Sequence, residues 1–319
     1  MKNRFKNFKK IVPFIWVGVL CLAIGYGASQ LQAYWNWKQF REARISHDSG
    51  SVTKAKSQPK VKKPQPVVKV QEDAQGDVLA QLGDVPPGRG TSPSWAKATI
   101  VLDDWGYNLD AFQILKTIPE PLTLAVLPAL PYSQDIARDA HAMGKEIILH
   151  MPMEPKSRIP LEPKTIHVGM SQSQINQLLN SSLDFIPYHV GLNNHMGSKV
   201  TEDAGTMDHI MRVVKNRKVF FLDSMTGKSV GEEVAEKWDV PYLKRDIFLD
   251  NERTDVYVTT QLRKMIGIAK DKGTAIGIGH DEAVTLRAIQ KMLPEFRRNK
   301  VELVTLQQML KIKNGKKFS

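Results

Sequence analysis

The chain has 319 residues and a formal net charge of +12, but residues 1–97 hold 16 of the Lys and Arg against 6 acidic side chains, leaving residues 98–319 with 29 against 27. The later two thirds carry no basic stripe of the kind nucleic acid requires, so nucleic-acid binding is set aside. A single cysteine, Cys21, excludes an intrachain disulfide and a cysteine-rich zinc site; any metal must be held by histidines and carboxylates.

Residues 1–10, MKNRFKNFKK, carry five positive charges and no negative one, and predict a cytoplasmic tail. The apolar run over 11–35 is long enough to cross a bilayer, which needs about 20 such residues. Trp35 and Trp37 fall where an interfacial aromatic belt would lie. That length favours an uncleaved signal anchor over a cleavable signal peptide. The basic flank then sends the rest of the chain to the periplasmic side of a bacterial inner membrane. Residues 36–97 are rich in Lys and Pro with little to bury, and predict a flexible linker.

Residues 98–315 alternate short apolar runs with amphipathic stretches, the pattern of an α/β domain with a mainly parallel sheet. Candidate strands cover 99–102, 122–127, 146–149, 190–194, 219–222, 275–279 and 302–306. Between them, the stretch from Ser171 starts a helix with a capping serine, and the one closing at Gly273 ends on a glycine cap. In the helix after Asp281, Pro294 predicts a bend or a stop.

The ends of these strands carry the chemistry. The first runs into Asp103 and Asp104; others end in His150, His195, Asp223 and His280, the last followed by Asp281. In a parallel α/β fold all C-terminal strand ends gather on one face, where active sites form. One strand-end histidine is ordinarily a hydrogen-bonded structural group. Five ionisable ends without a Lys or Arg among them predict a divalent cation, because converging carboxylates raise one another's pKa. One aspartate would bind the metal beside two histidines and the other would act as general base on water, leaving positions open for substrate.

The segments IVLDDWGYN, LHMPMEP, NNHMGS, FFLDSMT and IGIGHD, in this order, resemble the divergent polysaccharide deacetylase family over about residues 98–312. The resemblance implies a distorted (β/α) barrel of about seven strands, related to NodB-type carbohydrate esterases. It also implies a divalent metal, commonly zinc, used to remove acetyl groups from N-acetylated sugars. By resemblance, Asp103 is the base, Asp104 a metal ligand and His280 the general acid, oriented by Asp223 or Asp281. The H-x-x-x-H ligand pair of those enzymes is absent: Glu154 stands four residues after His150, and Lys199 four after His195. The metal is therefore assigned to Asp104, His150 and His195 from three strands, with Glu154 as a weaker alternative ligand.

Asn193 and Asn194 are expected to position the site or to bind sugar hydroxyls of the substrate, and Trp105 either to stack on a sugar ring or to pack at the barrel rim. Ser224 is left open between site and scaffold, and Thr226 is read as structural. The segment 244–255, with Arg245, Asp246, Asp250 and Asn251, could line the cleft mouth, but reads by default as a solvated loop. His141, His167, His189 and His209, away from strand ends, read as surface or core residues. The expected partner is a polysaccharide or peptidoglycan-like glycan. The alternative is a non-catalytic envelope module that binds glycan or a cell-wall partner through the same barrel face.

Overall fold

The computed structural model describes residues 95–162 and 164–317. The predicted anchor, and all but the last three residues of the predicted linker, lie outside them. No helix among the described residues is long and apolar enough to cross a membrane.

Strand β1 (Ala96–Trp105) leads through α1 (Phe112–Leu115) to β2 (Thr123–Val126), α2 (Ser133–Ala142) and β3 (Glu146–Met153). Then come α3 (Gln172–Phe185), β4 (His189–Met196), α4 (Ala204–Arg217), β5 (Phe220–Asp223) and α5 (Gly231–Lys237). The short strands β6 (Tyr242–Lys244) and β7 (Ile247–Phe248) precede α6 (Asp255–Lys272) and β8 (Thr274–His280). The last elements are α7 (Ala283–Arg298), β9 (Val301–Leu303) and α8 (Leu306–Lys317).

All registered strand pairs are parallel, in the order β6-β5-β4-β3-β2-β1-β8-β7, with β9 beside β1. The sheet curls so that its two ends are separated in sequence by only Arg245 and Asp246. Arg245 N donates to Asp223 O on β5 (3.0 Å), and Asp246 N to Ile276 O on β8 (2.9 Å). All seven predicted runs contain strands. Strand β6 and strand β7 come in addition, the second inside the stretch read as a solvated loop; both are too short to show a period-two pattern.

Parallel strands covered by helices bury both faces. Leu102, Leu124, Leu149, Leu192 and Phe221 join the larger core beneath the helices. Val101, Ala125, Ile148, Leu222, Ile276 and Ile278 form a smaller core on the concave face, closed below by Leu306 and Met309 of α8. The site residues continue these concave-face positions upward: His150 two residues beyond Ile148, His280 two beyond Ile278, Asp103 two beyond Val101.

Helix ends match the sequence signals. Ser171 and Gln174 form a reciprocal capping box, and α6 ends on Gly273 at φ 79°. Two expectations change. Helix α7 runs through Pro294 to Arg298, so the proline does not stop it. The run 302–306 stays a strand only to Leu303, because the buried Glu146 carboxylate accepts from Leu306 N (2.8 Å) and Gln307 N (3.0 Å) and starts a helix there.

Candidate active site

Two successive residues of a regular strand face opposite ways. Asp103 and Asp104 escape this rule through a β-bulge. Leu102 pairs with Leu124 and Trp105 with Val126, so β1 holds one residue more than β2 across this interval. Asp104 takes the extra place with φ 68°, a left-handed conformation that Asp tolerates better than most residues. Trp105 then occupies the helix-facing place and is fully buried, edge-on to Phe112 at 6.0 Å. It therefore cannot stack on a sugar, which corrects that expectation in favour of packing. Strand β4 has a similar extra residue: Ile147 pairs with His189 and Leu149 with Leu192, a shift that brings Asn193 and His195 onto the concave face.

Asp104, His150 and His195 meet at one point. Asp104 Oδ1 lies 3.1 Å from His150 Nε2 and 2.9 Å from His195 Nδ1. The two ring nitrogens stand 3.1 Å apart, with the rings nearly perpendicular. The far nitrogen of each ring is engaged: His150 Nδ1 donates to Asn193 Oδ1 (2.7 Å), and His195 Nε2 to Glu162 Oε1 (2.9 Å). The neutral rings therefore aim lone pairs at each other and at the carboxylate. Such a cluster requires a positive charge at its centre. Donor atoms on a tetrahedral ion with bonds of about 2.0–2.1 Å stand roughly 3.3 Å apart, close to the spacings here, so the residues fit a divalent metal. In the protein alone the charge is a proton. Burial disfavours it on His195, but Asp104 and Glu162 outweigh burial and raise the pKa to about 9.

Asp103 is buried beside this cluster. Its Oδ1 accepts from Asn193 Nδ2 (3.0 Å), while Oδ2 lies 3.7 Å from His150 Nε2. Burial pushes its pKa above the usual carboxylate value, with Asp104 adding to the rise and His150 and His280 opposing it. His280 is its register partner on β8. His280 Nδ1 is held by Asp250 Oδ1 (2.8 Å), and Asp250 Oδ2 accepts from His280 N (2.7 Å) and Thr285 Oγ1 (2.6 Å). Burial again disfavours the charge on His280, but Asp250, Asp104 and Asp103 outweigh it and raise the pKa to about 10.

Several assignments change. The carboxylate on His280 Nδ1 is Asp250, and Asp223 lies elsewhere. Asp223 is fully buried and accepts from Ser229 Oγ, Met225 N and Tyr242 OH, so it pins the turn after β5. Asp281 N donates to Asp103 O (3.1 Å). Asn193 and Asn194 are buried and bonded to protein groups, which fits the positioning reading. Asn193 links His150, Asp103 and Ser224, and Asn194 bonds Met196 O and Ser224 N. Glu154 is held by Lys199 Nζ (2.6 Å) and Val168 N (3.0 Å), outside the Asp-His-His cluster. Arg245 bonds Ser224 O (2.7 Å) and Met225 O (2.8 Å) over the Phe248 ring.

Glu162 escaped the sequence reading, and Asp250 was singled out only as part of a polar segment, without a role of its own. Glu162 lies in a Lys- and Pro-rich stretch with no strand to point at it. Asp250 did carry a signal: IFLD repeats the apolar-then-carboxylate form of IVLD and FFLD.

Similarity to known proteins agrees with this architecture. A family model described as divergent polysaccharide deacetylase matches residues 100–310. The uncharacterised protein YibQ of Escherichia coli is 35% identical over 198 residues, 62% of this chain and 62% of its own length. An uncharacterised protein of Haemophilus influenzae is 37% identical over 211 residues, 64% of this chain and 75% of its own. The crystal structure of an uncharacterised protein from Agrobacterium tumefaciens is similar at TM-score 0.65 and 24% identity, covering 70% of this chain and 92% of that one, and it shares the fold. The chain belongs to the divergent polysaccharide deacetylase family.

Proposed function

We propose that the protein is a metal-dependent hydrolase that removes acetyl groups from an N-acetylated cell-envelope glycan. The observation that carries this reading is the meeting of Asp104, His150 and His195 beside Asp103 Oδ2, with a charged His280 on the adjacent strand. Two imidazoles and a carboxylate suit zinc. When bound, such an ion polarises the acetyl carbonyl and a water molecule. Asn193 holds Asp103 Oδ1 and leaves Oδ2 to take the proton from the attacking water; burial makes that carboxylate more basic. His280, oriented by Asp250, gives its proton to the amine nitrogen as the C–N bond breaks, so the products are acetate and a free amine. The glycan substrate rests on the family. The apolar segment 11–35 and its basic flank support anchoring in the inner membrane with the domain on the periplasmic side.

The test is acetate release from N-acetylated oligosaccharides and peptidoglycan fragments by the zinc-loaded protein. Asp103→Asn should retain the metal and lower the rate by about 10²–10⁴-fold, the usual contribution of a general base. Glycan binding without acetate release would favour the non-catalytic module instead.

A further inference from the structure

We infer that Glu162 is a positioning residue that fixes His195 for ligation through Nδ1, and that it links metal occupancy to the order of the segment 155–162. The inference rests on the metal-site reading above. Among the described residues, the Asp-His-His cluster draws its ligands from strand ends, whereas Glu162 reaches it from the loop between β3 and α3. Its Oε1 accepts from His195 Nε2 (2.9 Å) and from Tyr107 OH (3.2 Å). The first bond places the ring hydrogen on Nε2 and the lone pair on Nδ1, facing Asp104 and His150.

The carboxylate is buried, and its Oε2 has no hydrogen-bond partner among the described residues. A buried carboxylate with one bare oxygen depends on nearby positive charge. That charge comes through His195, so a cation on Nδ1 also stabilises Glu162 where it stands. Both ends of the loop are fixed independently of this contact. Glu154 N donates to Ile166 O (2.8 Å) and Ile166 N to Pro152 O (2.9 Å), while Thr165 Oγ1 donates to Glu162 O (2.7 Å). Between these anchors Lys156, Ser157 and Arg158 are exposed. Glu162 is thus the point at which the segment engages the cluster. By linkage, a segment that favours metal binding is itself held by the metal.

The test uses the full chain, titrated with Zn²⁺ against a chromogenic chelator. Glu162→Ala should weaken zinc binding by about 10–100-fold, as loss of such a partner does. Glu162→Gln keeps an acceptor oxygen and should fall between parent and Glu162→Ala. Zinc should slow trypsin cleavage after Lys156 and Arg158 in the parent and have little effect in Glu162→Ala. Nitrogen-15 spectra of histidine-labelled, zinc-loaded parent should show His195 ligated through Nδ1 with its hydrogen on Nε2. Ligation through Nε2 overturns the inference without any variant, so a Glu162→Ala chain that fails to fold leaves it testable. A folded Glu162→Ala chain that binds zinc as tightly as the parent overturns it alone. A parent that binds no zinc overturns the metal-site reading as well.

Discussion

His195 stands between two carboxylates, Asp104 at 2.9 Å and Glu162 at 2.9 Å, and this arrangement governs how the cluster responds to pH. Its pKa, raised to about 9, means that the imidazole is charged at neutral pH when only protein groups surround it. Ligation through a ring nitrogen must displace that proton. Zinc affinity should therefore rise by about tenfold per pH unit between pH 6 and 8 and level off as the pH passes the raised pKa. Chelator competition at several pH values, with proton release measured by calorimetry in two buffers, checks this. A group with a raised pKa holds its proton further up the pH scale, so metal gains as pH rises. For the same reason the His280–Asp250 pair adds stability that is fully present below the unfolded histidine pKa, about 6.5, and is lost as pH climbs through about 10.

At the level of elements, Glu146 shows how one buried side chain can start a helix far away in the chain. It joins Thr123 Oγ1 on β2 (2.8 Å) to the first two amides of α8. Glu146→Ala would leave these donors unsatisfied, costing about 2 kcal/mol and lowering Tm by roughly 4–8 °C in a thermal melt. The apolar runs gave away the main strands because each needs only a few buried residues in sequence. Asp103, Asp104, His150, His195 and His280 were legible as a group because each sits at the end of such a run. The bulges in β1 and β4 were not, since the sequence shows the residues but not which of them lacks a partner across the sheet. Trp105 was left between two readings for that reason. Glu162 was invisible because its role arises from where a loop is packed, and β6 and β7 because their strand character comes from β5 and β8 beside them.

Across the whole molecule, the curled sheet is completed by two residues. Asp246 N bonds β8, its Oδ2 accepts from Ile276 N (2.9 Å), and Lys272 pairs with its Oδ1 (3.3 Å). Arg245 bonds β5 and lies across Phe248. Removing the Asp246 carboxylate takes away a bond that joins the two ends. In Asp246→Ala, amides of β6 and β7 should exchange with solvent faster than in the parent, while those of β2 and β3 stay protected. Equal acceleration throughout would mean that the sheet opens as a single unit.

The bulge at Asp104 also sets a parity along β1. Val101 and Asp103 are concave-face positions, Leu102 faces the helices, and without an interruption Asp104 would face the helices too. The extra residue changes the count once, and Trp105 resumes it against Val126 on the helix side. Two consecutive carboxylates can face one cluster from β1 only at the step where the count slips. Moving the Asp-Asp pair one position either way would leave the composition unchanged and send one carboxylate to the wrong side of the sheet.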